Sequence, residues 1–492
     1  MTKMNYVKIM RTCTFKITKV LYNEFMASLD LASVLQKEEK LNLKEKLRIV
    51  YYLSLPGILA QIGEIVMEYI DAAMVGSLGA SKSAAIGLVA SSTWLFGGLL
   101  QGAASGFGVQ VAHAIGANDV KRSKTIAKKA LFSCIAVSLI IGIIGVYVSF
   151  RLPIWLRAEK SIWHDANMYF LFFALFIPTR MLYRLTISLL QCVGNMKVPS
   201  ILTVIMCSLD VIFNFFLILP SRNFFGIYMP GANLGVLGAQ LGTSFAYFFS
   251  SVYLLYYVYF KEERLSLKDN KASWLADKII IKEAVNIGLP IALEHSALTL
   301  AQVVSSGIIA PLGTVAIAAN SFAVTAESIC YMPGYGLANA ATTMVGQAMG
   351  AEKKEEAKSF AWLTTIIGML IMGLMGAIMY FLCPFVFMFL TPDKNVQLLA
   401  IKVLRIELFA EPLFALSIVA TGALRGAKDT LVPGIINLVS IWGVRITLSL
   451  ILTKYFGLSG AWMAMAIELS IRGILMFIRM FLFKEFHVTQ RD

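Results

Sequence analysis

The sequence predicts an all-α integral membrane protein: twelve transmembrane helices in two pseudo-symmetric six-helix bundles. Composition is the first reason. Of 492 residues, 58% are hydrophobic and 15% charged, whereas a soluble domain is about 45–50% apolar and 25% charged. Mean hydropathy is +0.74. The second reason is segment length. Apolar runs of roughly 20 residues recur throughout, each long enough to cross a bilayer core as a helix, unlike the short alternating strands of a membrane barrel. The third is internal repetition. Leu55-Pro56 returns as Leu289-Pro290, and 290 − 56 = 234. At the same offset Leu78-Gly79 returns as Leu312-Gly313, Ala84-Ala85 as Ala318-Ala319, "VAHAIGA" at 111–117 as "VGQAMGA" at 345–351, and Pro199 as Pro433. The match slips after the longer loop at 220–234. A six-span unit keeps its orientation when duplicated, so the repeat is parallel, about an axis along the membrane normal. Transporters built this way place their path between the halves.

In chain order the spans are expected near 48–75, 86–115, 126–150, 162–190, 197–219, 235–260, 280–309, 317–346, 359–383, 396–424, 431–454 and 459–483. Gly, Pro, Asn or charge punctuates each break, as in "GANDVKRSK", "VGNMKVP", "GAEKKEEAK" and "RGAKDT". This divides the chain into a basic N-terminal tail (1–47), an N-lobe (48–260), a linker (261–279), a C-lobe (280–483) and a C-terminal tail (484–492). Within the tail, "KEEKLNLKEKLR" at 37–48 reads as an amphipathic lead-in along the membrane surface. The first twenty residues are basic but lack an apolar core and a small-residue cleavage site, so they are a poor secretory signal.

Alternate loops differ in charge. One set carries Lys121, Arg122, Lys124, Lys128 and Lys129, then Lys197, Lys261 through Lys282, Lys353, Lys354 and Lys358, then Arg425 and Lys428. By the positive-inside bias that side, with both termini, is cytoplasmic, and the expected location is the plasma (inner) membrane. The net charge of +14 follows from these loops. No basic stripe with interleaved aromatics points to nucleic acid. Cys13, Cys134, Cys192, Cys207, Cys330 and Cys383 are scattered, no C-x-x-C occurs, and there are four histidines. Neither a disulfide framework nor a zinc site is expected.

The candidate functional residues are acids inside apolar segments. "QIGEIVMEYIDAAMVG" at 61–76 spaces Glu64, Glu68 and Asp71 at i, i+4, i+7, with Gln61 one turn earlier. On a helix they form one polar stripe. A charge at the centre of a lone membrane helix costs about 2.5–3.5 kcal/mol, so three would cost roughly 7–10 kcal/mol. Such a stripe must face a wet cavity or partners, and Arg180 and Arg184 are candidate partners. Asp210 and Asn214 lie one turn apart on the fifth helix. Glu294 lies in the seventh, Glu327 in the eighth near Pro333-Gly334, and Glu407 and Glu411 one turn apart in the tenth. Glu294, Glu327, Glu407 and Glu411 are expected to form a second polar cluster in the C-lobe. His295 reads as a packed histidine, and Glu468 with Arg472 as an i, i+4 pair. The offset carries Asp71 to Ser305 and Asp210 to Val444, so the scaffold is duplicated but the acids are not. Desolvation favours the neutral form of a carboxylate and a nearby cation favours the charged form. Such a group can therefore exchange H⁺, Na⁺ and an organic cation in competition.

Together "YIDAAMVGSLG", "GFGVQVAHAIGA", "ESICYMPGYGLANAATTMVGQAMGA" and "TGALRGAKDTLVP" resemble the multidrug and toxic compound extrusion (MATE) family, over about residues 48 to 483. The resemblance implies a MATE-like fold with a central cavity, and secondary-active antiport that exports organic cations or amphiphilic drugs in exchange for H⁺ or Na⁺. Asp71 matches the family's first-helix acid, implicated in cation coupling. Asp210 and Asn214 match its fifth-helix pair, in which some members carry the acid at the second position. Na⁺ is expected at Asp71 or in the C-lobe cluster. No cofactor is expected beyond the coupling ion, and the expected partners are a cationic or amphiphilic small molecule and membrane lipid, for a monomer. A lipid-linked-sugar flippase of the same superfamily would want a basic cavity. A multi-span membrane enzyme would need clustered Asp-rich or His/Ser motifs at a membrane face. Neither is found, and no Walker A sequence supports ATP drive.

Overall fold

The computed structural model describes residues 31–36, 40–156, 159–224, 227–268 and 277–486. Residues 1–30 and 37–39 of the tail, 269–276 of the linker and 487–492 lie outside the described residues.

The spans are, in order, Leu43–Gly76, Ala80–Gly116, Val120–Ser149, a broken fourth span (Trp163–Leu175 and Ile177–Val193), Lys197–Leu217, Gly235–Phe260, Lys278–Ile309, Thr314–Gly350, Lys354–Leu390, a broken tenth span (Lys394–Glu407 and Glu411–Gly426), an eleventh span from Leu431 to Phe456, and Leu458–Leu482. Polar caps start them where the sequence leaves the apolar run. Asn42 and Glu45 form a reciprocal capping box, with Glu45 N–H donating to Asn42 Oδ1 at 2.9 Å. Asp119, Asp277 and Asp393 cap the third, seventh and tenth spans. Gly79 and Gly313, with φ of 101° and 95°, make the duplicated turns into the second and eighth spans, a conformation that only glycine adopts freely.

Both broken spans interrupt at equivalent places. The halves of the fourth span meet at Phe176 and bend by 50°, just before Pro178. The tenth breaks before Pro412, and both prolines sit in the first turn of the half that follows. Proline suits a first turn and is excluded from a helix interior by its ring and missing N–H. Between the fifth and sixth spans, Pro220–Phe224 (β1) and Ile227–Ala232 (β2) form an antiparallel hairpin pairing Pro220 with Ala232. The second half has no counterpart there, which accounts for the slip in the repeat. The eleventh span differs too: Ser440–Ile446 winds as a π-helical turn. That turn holds one extra residue. Beyond it Leu217 answers to Leu452, an offset of 235: a Cβ at Gly238 would meet the Leu217 carbonyl and one at Gly460, past the hairpin, the Leu452 carbonyl.

In the tail, Leu43–Arg48 is continuous with the helix of the first span, and Leu31–Leu35 forms a short helix whose two leucines are 1% exposed.

Two apolar cores hold the bundles. One runs through Phe107, Phe170, Met181, Leu189 and Leu254, the other through Leu337, Met344, Phe360, Val419 and Met476. The bundles meet through glycines. A Cβ at Gly102 would collide with Gly288, and one at its repeat, Gly336, would collide with Gly57 and Ile58. Where the second and eighth spans end, a Cβ at Gly116 would strike the Gln347 backbone and one at Gly350 the His113 backbone. His113 and Gln347 are themselves repeats. His113 Nε2 lies 2.8 Å from the Gly426 carbonyl and Gln347 Nε2 donates to the Cys192 carbonyl at 2.8 Å. Those four residues again obey the offset. The molecule is thus closed across this end.

A side chain at Gly116 or Gly350 must push these backbones apart. Gly116→Ala and Gly350→Ala are each expected to lose about 1–3 kcal/mol, read as a lower melting temperature in detergent. Gly87→Ala, where a Cβ would meet nothing within 4 Å, is expected to lose none.

Candidate functional site

Two pseudo-equivalent bundles carry differently charged interiors. In the N-lobe, the first and fifth spans pack side by side and bring Asp71 to Asn214, whose Nδ2 donates to Asp71 Oδ1 at 2.9 Å. Asp210, one turn earlier, is 0% exposed, and neither of its carboxyl oxygens has a hydrogen-bond partner among the described residues. It lies within electrostatic reach of Asp71. Gly242 on the sixth span permits this packing, because a Cβ there would overlap Asn214 Oδ1. Asn214 Oδ1 is also buried and unpartnered. The first-span acid and the fifth-span pair thus converge in one polar pocket, with unused acceptors, at membrane depth.

The rest of the stripe is wetter. Glu64 is half-buried and accepts from Gln61 Nε2 at 3.3 Å. Glu68 is exposed and lies within electrostatic reach of Tyr331 on the eighth span, so it belongs to the space between the bundles. At this level Tyr69 Oη donates across to the Thr325 carbonyl at 2.7 Å. The arginines do not close on the stripe. Arg184 donates to Gln101 Oε1 at 2.8 Å. Arg180 lies over the rings of Tyr247 and Phe173, at 4.6 and 4.9 Å from their centroids. Cation–π contact replaces an ion pair there.

The expected C-lobe cluster divides in two. Glu294 is taken by Arg425, Nη2 to Oε2 at 2.8 Å, and by Asn437 Nδ2 at 2.6 Å. That arrangement is a satisfied structural pair between the seventh, tenth and eleventh spans. Glu294 therefore stands apart from the other three acids, because Arg425 at the end of the tenth span reaches it first. His295 beside it packs against Gly98. Glu327, Glu407 and Glu411 do gather, within electrostatic reach of one another. Glu407 and Glu411 are 0% exposed and all four of their carboxyl oxygens lack hydrogen-bond partners among the described residues.

Sequence reading missed one group that organises this lobe. Arg445 sits in the π-helical turn and donates to Glu468 Oε2 from Nε at 3.0 Å and from Nη2 at 2.6 Å. Glu468 also pairs with Arg472 at 3.0 Å, as its spacing suggests. One carboxylate therefore holds two guanidiniums. With the offset 234 before the π turn and 235 beyond it, the position answering Asp210 falls inside the turn that carries Arg445. The N-lobe has an acid where the C-lobe has a base. A π turn is visible only in the hydrogen-bond pattern, so the ungapped sequence offset concealed this inversion. Such turns recur at functional sites. Among the described residues no three His, Cys, Asp or Glu side chains form a metal-holding group.

These positions differ in what they cost to lose. Glu468→Leu would leave the buried Arg472 and the half-buried Arg445 without their carboxylate, an expected loss of about 3–5 kcal/mol. Glu64→Gln is expected to cost under about 1 kcal/mol, because its site is partly wet. Thermal unfolding of both variants in detergent checks the contrast.

The MatE family pattern matches residues 56–216 and 290–451, one match in each half. Among curated proteins, the chain is 26% identical over 448 residues to "Probable multidrug resistance protein NorM" of Thermotoga maritima, covering 90% of this chain and 93% of the relative. It is 27% identical over 432 residues to the protein of the same name in Halalkalibacterium halodurans, covering 86% and 91%. Among solved structures it is similar to the Vibrio cholerae MATE transporter VcmN (TM-score 0.82, 15% identity, 90% of this chain and 98% of that one). It is equally similar in fold to a MOP superfamily transporter from Pyrococcus furiosus (TM-score 0.82, 18% identity, 92% and 98%).

Proposed function

The chain belongs to the MatE family, and on that premise we propose that it is a multidrug efflux transporter of the plasma membrane, exporting organic cations or amphiphiles by antiport with H⁺ or Na⁺. One observation carries the antiport reading: Asp71 and Asp210 share a pocket in which the Asn214 amide donates to Asp71 alone and leaves both Asp210 oxygens without a partner among the described residues. Two carboxylates that close repel one another, and burial penalises both charges. A proton or a small cation relieves this. A cationic drug drawn to the same field competes for it. Glu68, in the space between the bundles, extends that field towards the path of the drug.

The closed end carries the basic loops with Lys121, Arg122, Lys353 and Lys354, which the positive-inside bias assigns to the cytoplasm. On this reading the chain is in an outward-facing state. Loading of the coupling ion from outside then releases the drug, and release of the ion inward resets the pump. The acids do not suit a carrier of pyrophosphate-linked sugars, which would need a basic pocket. The C-lobe trio Glu327, Glu407 and Glu411 is a second place for the coupling ion under the same logic. Glu294 is not, since Arg425 already neutralises it.

Efflux of a fluorescent cation from proteoliposomes under an imposed pH or sodium gradient tests the reading, and the gradient that drives efflux identifies the ion. Asp71→Asn removes the charged acceptor of the Asn214 amide. A hydrogen bond to a charged group is worth about 1.5–3 kcal/mol, so gradient-driven efflux is expected to fall roughly 10- to 100-fold. Glu294→Gln should alter stability more than ion dependence. Efflux undiminished in Asp71→Asn would remove the N-lobe pocket from the mechanism.

A further inference from the structure

Residues 31–36 and 40–46 lie across the closed end, and between them they touch both bundles. The apolar face of Leu31–Leu35 is divided: Ala32 packs into the core built mainly from N-lobe spans, and Leu31 and Leu35 into the one built mainly from C-lobe spans, with Ile49, Val50 and Leu53 at the start of the first span. Gln36 Nε2 donates to the carbonyl of Gly116 at 3.0 Å, the glycine whose Cβ would strike Gln347. Beyond it, Lys40 Nζ pairs with Glu355 at 2.7 Å, the Leu41 N–H donates to Glu356 Oε1 at 3.3 Å, and Lys46 reaches Glu356 at 2.8 Å and Ser359 at 2.9 Å. Glu355 and Glu356 open the ninth span. The segment therefore runs from the end of the second span to the start of the ninth, over the point where the two halves meet.

Geometry gives this seat a consequence. The second and eighth spans close the end by backbone contact at Gly116 and Gly350. If the halves separate there, Leu31 and Leu35 must leave one core or Ala32 and Gln36 must leave the other. We propose that residues 31–36 and 40–46 act as a built-in strap that holds this end shut and must release one bundle before the end opens. The strap stabilises one conformation of the cycle over the other, and so sets their populations in the absence of ligand. Its bond with the export reading is confined to the effect on efflux. The strap itself is a statement about two conformations.

The test is a distance measurement on the full chain. Spin labels at Lys121→Cys and Lys354→Cys, both exposed, report the separation of the two halves at this end in a Cys13→Ser background. Leu31→Asn with Leu35→Asn in that chain is expected to raise the long-distance population about threefold or more. Leu47→Asn, just beyond the strap and 42% exposed, should leave it unchanged. If the double variant does not fold, Leu35→Ala alone decides, with a smaller shift in the same direction. A folded strap variant whose distances match the unsubstituted chain overturns the proposal. Shifted distances in a chain that exports nothing under any gradient would keep the strap and sink the export reading. Normal export with unshifted distances would do the reverse.

Discussion

Backbone contact between the two halves is the constraint from which the rest follows. Gly102 on Gly288, Gly336 on Gly57, Gly116 on Gln347 and Gly350 on His113 bring helices from different bundles closer than any side chain allows. In a membrane such contact is the main source of helix association, because lipid offers apolar side chains as good an environment as protein does. The contacts are also symmetric, so each bundle presents the same face to the other. A symmetric seam can come apart and re-form as a unit, without either core being rebuilt. The pocket of Asp71 and Asp210 sits inside one bundle and does not bear on the seam. It can change occupant while the bundle around it stays packed.

Charge breaks the symmetry that packing keeps. Asp71 answers to Ser305, and Asp210 to the π turn that carries Arg445. In the N-lobe the acids outnumber the donors that meet them, and in the C-lobe Arg445 and Arg472 share Glu468. Each half has spare carboxylates, but their neighbours differ. The N-lobe pair is offered one amide and lies near a wet stripe. The C-lobe trio is enclosed and faces cations already committed elsewhere. Two sites built so differently on one scaffold are suited to different occupants or different moments of a cycle.

The N-terminal strap adds a restraint that the repeat does not contain. Its apolar anchors are small, yet they enter both cores. A segment in that position acts on the equilibrium between conformations while leaving the ion pocket untouched.

Much of this was legible in sequence, because the membrane enforces it locally. A helix across lipid must satisfy its own backbone and be apolar over about 20 residues, so most of the spans can be read from hydropathy, while the sixth and the broken tenth are not single helices of that length and apolarity. The duplication is legible because the repeated glycines and prolines keep a fixed offset. The acids at Glu64, Glu68, Asp71, Asp210, Glu327, Glu407 and Glu411 stand out because lipid penalises them. Their partners do not stand out. Whether Glu294 finds Arg425, whether Arg180 finds a carboxylate or the ring of Tyr247, and whether Asp210 finds anything depends on which helix faces lie opposite. The π turn that carries Arg445 leaves no mark in composition, and Leu31–Leu35 looks like tail until a core is there to receive it. Sequence by itself determined the spans, the repeat and which residues are too polar for their surroundings, since each is a cost that a single helix bears alone. Tertiary structure decided which of those costs are met by a neighbour and which are left for an ion, since that depends on contacts between helices far apart in the chain.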